Sequence, residues 1–358
     1  MTDSATRVHY ITQRAGRLRC YNRPFHNDYA LFATGSNQKC NNIALWSIDT
    51  RSQSEEPEQL CAFPVGGLDH NVTDMRFVDI RGVPTIVYGD SDGSLTLLSV
   101  SDLPAKCIQP AAAHHKHNKQ QQNGEDSDSA AANTRLTKQK RWEHAHRGGI
   151  NSIDNSFDNE HIATVGSDGS MNIFSHEYDQ PIYTNKKIDG LSINAVRYMS
   201  NNELITSGVN SVLKFWDIRS GSNSAPIKTI KQVQSQMSTV HCIAVHHDQP
   251  HIIATGNADG YVSIFDFRNS FSIDQNRNHT SNVWEVSFSR AKSSQVYSCS
   301  EDGSVYLYDY NRDNKMTSAN MFDVYNKVVQ PVISSGLTAS SIDSFDINTS
   351  LQTLICSS

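Results

Sequence analysis

The 358-residue chain contains no run of about 18 apolar residues, so no membrane-spanning helix and no membrane insertion are expected. Residues 1–7 are polar and lack an apolar h-region, which argues against a secretory signal. The seven cysteines (Cys20, Cys40, Cys61, Cys107, Cys242, Cys299 and Cys356) are odd in number and never spaced C-x-x-C. A disulfide framework and a zinc ribbon are therefore not expected, and the thiols read as reduced, in cytosol or nucleus. The sequons at Asn71, Asn278 and Asn348 then read as chance matches.

Positive charge is also short. Lys and Arg number 31 against 37 Asp and Glu, a net charge of −6. A dominant nucleic-acid-binding role would want a basic face, so direct nucleic-acid contact is not expected. The sequence has no G-x-x-x-x-G-K-[ST], no G-x-S-x-G and no H-E-x-x-H, which removes the P-loop, nucleophile-elbow and zincin classes. Asp90-Ser91-Asp92-Gly93 copies part of a calcium loop but lacks the distal Glu. No small-molecule substrate, cofactor, metal or catalytic residue is indicated.

What the chain does have is a repeat. ATVGSDGSMNIFS (163–175), ATGNADGYVSIFD (254–266), YSCSEDGSVYLYD (297–309) and VYGDSDGSLTLLS (87–99) share one plan: a small-residue strand, an Asp-Gly turn, an alternating strand. Asp-Gly suits tight hairpins because the turn needs positive φ. A large apolar residue follows each turn Asp by six positions: Asp92 to Leu98, Asp168 to Phe174, Asp259 to Phe265, Asp302 to Tyr308. Two weaker copies keep the same count, Asn210 to Trp216 and Cys40 to Trp46. A second mark lies upstream. His70, His146 and His279 precede Asp92, Asp168 and Asp302 by 22, 22 and 23 residues. Tiling along the chain makes these His–Asp pairs structural rather than catalytic.

Trp216-Asp217, Phe265-Asp266 and Tyr308-Asp309 are the WD dipeptide or variants of it. The pattern resembles WD repeats, in which an upstream His bonds the turn Asp. The expected fold is an all-β, seven-bladed WD40 β-propeller forming one domain over 1–358. Blade cores are placed at 31–48, 69–100, 144–175, 191–217, 239–266 and 279–309, with an incomplete seventh at 341–356. At ~40–45 residues per blade, seven blades take roughly 300 residues, and two insertions take up the rest. Residues 103–141 are rich in Gln, Asn, Ala and charge, and read as a disordered insertion. They include His114, His115 and His117, read as a chance cluster rather than a metal site, and Lys138, Lys140, Arg141 before Trp142, read as a solvated basic patch. Residues 311–340 read as a loop insertion before the last blade. Its apolar residues either pack on their own blade or face a partner, with Phe322 and Tyr325 as the candidate anchors. The copy at 341–356 has no third strand, so the N-terminal segment, Val8–Gln13 and Leu18–Asn22, is expected to close the last blade.

LFATGS with ALWSI (31–36, 44–48), TVGSDGSMNIF (164–174), HIIATGNADGYVSIFDFR (251–268) and VWEVSF with SCSEDGSVYLYD (283–288, 298–309) are more specific. Together they resemble the WD-repeat nucleoporins of about forty-three kilodaltons. The resemblance covers most of 31–356. It implies a non-enzymatic scaffold subunit of the Y-shaped outer-ring complex of the nuclear pore, supporting protein and mRNA transport. It implies α-helical scaffold nucleoporins as partners, location at the nuclear envelope, and presence at kinetochores in mitosis. A rival reading rests on Trp216-Asp217-Ile218-Arg219 and Phe265-Asp266-Phe267-Arg268. The W-D-x-R form resembles the adaptor-docking motif of cullin-RING ubiquitin ligase receptors, which would assign Asp217, Arg219, Asp266 and Arg268 to an adaptor.

Overall fold

Each Asp-Gly pair reverses the chain because its glycine takes a left-handed φ: +81° at Gly93, +71° at Gly169, +84° at Gly260 and +76° at Gly303. In the Asn210 copy the same place is held by Ser211, at φ 58°. The computed structural model describes residues 7–10, 15–21, 29–36, 41–49, 57–65, 71–104, 134–186, 188–222, 224–231, 238–269, 271–310, 327–333, 341–348 and 353–357.

These turns organise a β-propeller. A short strand, β1 (Arg7–Tyr10), comes first. Blade 1 is β2 (Arg17–Cys20), β3 (Tyr29–Gly35), β4 (Asn42–Asp49) and β5 (Glu58–Pro64). Blade 2 is β6 (Val72–Ile80), β7 (Val83–Asp90), β8 (Leu95–Ser101) and β9 (Arg135–Trp142). Blade 3 is β10 (Ile150–Asn155), β11 (His161–Gly166), β12 (Met171–Ser175) and β13 (Tyr183–Asn185). Blade 4 is β14 (Ile193–Tyr198), β15 (Glu203–Gly208), β16 (Val212–Asp217) and β17 (Lys228–Lys231). Blade 5 is β18 (Val240–Val245), β19 (Ile252–Asn257), β20 (Tyr261–Asp266) and β21 (Phe271–Arg277). Blade 6 is β22 (Val283–Phe288), β23 (Gln295–Ser300), β24 (Val305–Asp309) and β25 (Val328–Ile333). Two last strands, β26 (Ser344–Asn348) and β27 (Thr353–Ser357), follow.

Where seven like blades are expected, the described residues form six four-stranded antiparallel blades and one three-stranded sheet, ordered β1-β27-β26. In that sheet β1 runs parallel to β27, Arg7 opposite Thr353. The expectation that both N-terminal strands join this sheet is corrected for the second. β2 pairs with β3, Arg17 opposite Gly35, because Leu18 and Cys20 bury against Ala30 and Phe32. The insertion boundaries are corrected too. Residues 135–142 are the outer strand of blade 2, and 328–333 are the outer strand of blade 6. Backbone pairing with β8 and β24 fixes these segments although few of their side chains are buried. Insertion residues 105–133, 311–326 and 334–340, with Phe322, Tyr325 and His114, His115 and His117, lie outside the described residues, as does His70.

The apolar core sits between sheets rather than at the axis. Val87 and Leu97 of blade 2 pack with Ile150 and Phe174 of blade 3. Ile173 of blade 3 packs with Trp216 of blade 4, and Phe215 of blade 4 with Phe265 of blade 5. At the ends of the chain, Tyr297 of blade 6 packs with Phe345 of the three-stranded sheet, and Ile355 packs with Leu18 and Phe32 of blade 1. Burying each large side chain stabilises by roughly 1.5–3 kcal/mol. The large residues at the six-residue offset are the ones these interfaces enclose: Leu98, Phe174, Trp216, Phe265 and Tyr308 are all buried. Trp46 is partly covered and stacks on Phe32, ring centres 6.3 Å apart.

Candidate functional site

Two constellations recur around the ring. One joins the Asp-Gly turns to the next inner strand, and the other lines the axis.

At the turns, His146 sits on the loop between β9 and β10. Its ring Nδ1 lies 3.1 Å from Asp168 Oδ1, and Nε2 lies 2.8 Å from the Thr164 hydroxyl. Ser170 donates to the same Asp168 oxygen at 2.8 Å. In blade 6, His279 Nδ1 is 3.2 Å from Asp302 Oδ2 and Nε2 is 2.7 Å from the Ser298 hydroxyl. The loop also holds the preceding blade: the His146 N–H donates to the Gly93 carbonyl at 3.0 Å. The histidine therefore staples two blades, its ring to its own turn and its backbone to the previous one. In blade 4, Asp189 takes the loop position. It accepts from Asn210 and from Lys214 Nζ, the latter at 2.8 Å, and its N–H donates to the Gly169 carbonyl. Asp92 and Asp259 occupy the equivalent turns of blades 2 and 5, where their N–H groups bond Asp90 and Asn257. Trp46 and Trp216 donate their indole N–H to Thr34 and Thr206, at 2.8 and 2.9 Å.

Burial would raise the carboxyls of Asp168 and Asp302, but the facing histidine, the next backbone N–H and the serine hydroxyl hold both well below the usual range. A carboxyl lowered in the folded state stabilises above its unfolded value, ordinarily near 3.8, and that stability is lost as pH falls toward the folded value. We expect the melting temperature to fall as the solution is acidified below about pH 4, and Asp168→Asn with Asp302→Asn to flatten that fall. Thermal melts followed by circular dichroism across this range check it; an equally steep acid limb in the double variant would contradict it.

The second constellation was missed from sequence. Alternation in the inner strands puts a charged side chain toward the axis: Arg17 and Arg19 on β2, Asp74 and Arg76 on β6, Asp154 on β10, Arg197 on β14, Glu285 on β22 and Asp346 on β26. Arg19 is buried and spans four sheets. Its guanidinium reaches Asp74 at 3.0 Å, Glu285 at 2.9 Å and Ser344 at 3.1 Å. Asp74 also accepts from the Ile153 N–H at 2.8 Å, and Asp346 from the Cys20 N–H at 2.9 Å. Burial opposes the charge on Asp74, yet Arg76, Arg19, Arg17 and Arg197 together hold its carboxyl well below the usual range. The only sequence signal was a charge set within otherwise apolar inner strands, as in Val283-Trp284-Glu285-Val286, and β18 (Val240–Val245) lacks even that.

The rival docking residues lie at the ends of β16 and β20. Asp217 takes Arg219 through two oxygens, at 2.7 and 2.9 Å, and Asp266 takes Arg268 at 2.8 and 3.1 Å. Each arginine thus closes on the aspartate of its own motif, and both keep an exposed outer face. The basic patch near Trp142 is ordered, not solvated chain: Arg141 pairs with buried Asp90 at 3.1 Å and Lys140 with Asp179 at 2.9 Å. For metal, the described residues offer His246, His247 and Asp248 in one group. Both His246 nitrogens are already used, Nδ1 by the Asp248 and Gln249 N–H groups and Nε2 by the Ser293 carbonyl. That leaves two ligands, too few for a dedicated site.

Repeating blades, turn staples and WD dipeptides define a WD-repeat β-propeller. In agreement, the model for the WD domain, G-beta repeat, matches residues 137–175, and the model for the Nucleolar protein 10-like, N-terminal domain, matches 171–350. The chain is similar to Nuclear pore complex protein nup43 of Dictyostelium discoideum, 38% identical over 413 residues that cover 99% of this chain and 97% of that one. It is similar to Nucleoporin Nup43 of Mus musculus, 30% identical over 302 residues covering 79% and 69%, and to the Homo sapiens protein at 29% over the same shares. The chain belongs to the Nup43 family of WD-repeat nucleoporins. None of these relatives bears a ligase-receptor name, so the adaptor-docking reading gains no support.

Proposed function

We propose that the chain is a non-enzymatic scaffold subunit of the nuclear pore, placed in the Y-shaped outer-ring complex, where it docks α-helical nucleoporins and so supports protein and mRNA transport. The observation that carries this reading is similarity to a nuclear pore protein along 99% of the chain. A ring of sheets locked by turn staples and axial ion pairs suits the role, since it presents fixed loops and faces. In the same reading the three-stranded sheet is a seventh blade closed by β1. Support comes from its inner strand β26, which packs against both β22 and β2. Recruitment to kinetochores in mitosis would follow from membership of the complex.

Affinity purification of the tagged chain from interphase cells, quantified by mass spectrometry, tests this. Near-equal recovery of Y-complex nucleoporins is expected, and the same recovery with Arg219→Ala plus Arg268→Ala. Recovery of a cullin adaptor without nucleoporins, lost in that double variant, would overturn it.

A further inference from the structure

Opposite the Asp-Gly turns, where the inner strands end, the axial channel widens into a cavity of about 520 Å³. Its wall includes Arg76, Asp154, Arg197, Tyr198 and Glu285, and its rim includes Phe157. The wall carboxylates are engaged. Asp154 accepts from Arg76 at 3.4 Å and from the Tyr198 N–H at 2.8 Å. Glu285 takes Arg19 at 2.9 Å and the Ser344 hydroxyl at 2.8 Å. The donors are not used up. Arg197 spends one nitrogen, Nη1, on Ser152 Oγ at 3.2 Å and the Val196 carbonyl at 2.7 Å. Among the described residues no carboxylate lies within ion-pair distance of it. The buried Tyr198 hydroxyl has no partner there either. A guanidinium carries five donors in a fork that matches a carboxylate. Crowding points the same way: burial, Arg19 and Arg197 pull the Arg76 guanidinium down to about 10. An added anion would relieve it. At the rim, Phe157 is 62% exposed, the most exposed large apolar side chain among the described residues.

We propose that this cavity docks a partner polypeptide segment that inserts one Asp or Glu carboxylate onto Arg197 and Arg76 and covers Phe157 with an adjacent apolar side chain. The inference rests on the interaction-platform reading and gives it a face. Asp74 already shares the charge of Arg197, so the match is to the guanidinium's spare donors, whose fork suits one two-oxygen carboxylate, rather than to an excess of positive charge. A multivalent phosphate would meet Asp154 and Glu285 in the same wall, which favours a carboxylate. The exposed ring supplies the apolar contact that a lone ion pair at a wet rim lacks, and aromatic and Arg anchors are the side chains that dominate such interfaces.

Selection of a phage-displayed random peptide library on the purified full chain, followed by fluorescence anisotropy of the selected peptides, tests the proposal without any nuclear pore protein. Enriched peptides are expected to carry Asp or Glu beside Leu, Ile or Phe. Arg197→Gln should weaken binding by about thirtyfold, as removal of one partner of a desolvated charge pair does. Phe157→Ser should weaken it by about tenfold while leaving the thermal melt unchanged. Phe157 is exposed, so this second variant decides the matter if Arg197→Gln folds poorly. The proposal is overturned if no peptide is enriched, if enriched peptides lack an acid, or if they bind Phe157→Ser as well as the parent. Displacement of the peptides by inorganic phosphate at comparable concentration would instead make the cavity a small-anion site. Dimerisation in sedimentation abolished by Phe157→Ser would make it a self-association face. Failure of the purification experiment with success here would move the docking site to a different partner class.

Discussion

Arg19→Met is expected to lower the unfolding free energy by about 3–5 kcal/mol, the cost of leaving buried charges without their partner. Methionine keeps much of the side-chain volume, so packing loss is minor and the electrostatic loss dominates. Two carboxylates depend on this guanidinium, Asp74 on blade 2 and Glu285 on blade 6, and the Ser344 hydroxyl joins it from the three-stranded sheet. Burial by itself would drag the Arg19 charge down, yet Glu285, Asp74 and Asp346 push its pKa up, so the cation is firmly held. The partners are 55 and 266 positions away in the sequence, so the contact exists only when the ring is closed. Equilibrium urea unfolding measures the loss, and Glu285→Gln in a double-mutant cycle apportions it. A coupling near zero would mean that channel water solvates these charges and that the ring is held by its apolar interfaces alone. Arg219→Met is the contrasting variant. Its guanidinium is exposed and closes only on Asp217 two residues away, so its unfolding curve should overlay the parent.

The difference between Arg19 and Arg219 also marks what could be read from the chain. Short-range features were legible. The turn glycine, the enclosed residue six positions past the turn Asp, and the His–Asp pairs of blades 3 and 6 recur at fixed offsets, because one blade is one local unit. Elements whose place depends on distant chain were not. The outer strand 135–142 reads Arg-Leu-Thr-Lys-Gln-Lys-Arg-Trp, and only Trp142 at its end is buried, so its composition looks like loop. What makes it a strand is backbone pairing with β8 across 103–134. β2 illustrates the same limit: Arg17-Leu18-Arg19-Cys20 suits either neighbouring sheet, and the choice falls to burial of Leu18 against Phe32. The channel charges look like ordinary solvent-facing alternation, and only the closed ring turns them inward onto one another. Blade 4 hid its staple for a different reason. Asp189, Asn210 and Lys214 replace the His–Asp pair with other donors and acceptors, so no shared spelling pointed to them.

Gly169→Ala is expected to cost more than its backbone conformation alone predicts. At φ +71° an L side chain carries a strain of about 1–2 kcal/mol. A Cβ at this position would also fall inside contact distance of the Asp189 and Leu191 carbonyl oxygens, on the loop that enters blade 4. Those are backbone atoms and cannot swing aside, so the blades must part, adding about 1–3 kcal/mol of overpacking. Gly82→Ala separates the two terms. Gly82 has nearly the same conformation, φ +83°, but a Cβ there would meet nothing within 4 Å, so only the strain should register. Gly93 and Gly260 face the carbonyls of His146 and His279 in the same way, so the extra cost should recur at each staple and be absent at Gly82. Urea unfolding of the four alanine variants measures this. If Gly82→Ala is as damaging as the other three, the turn glycines serve φ alone. If the three exceed it together, Asp-Gly recurs because the turn must also admit the backbone of the next blade, which explains why the His-bearing loop and the turn repeat as one unit.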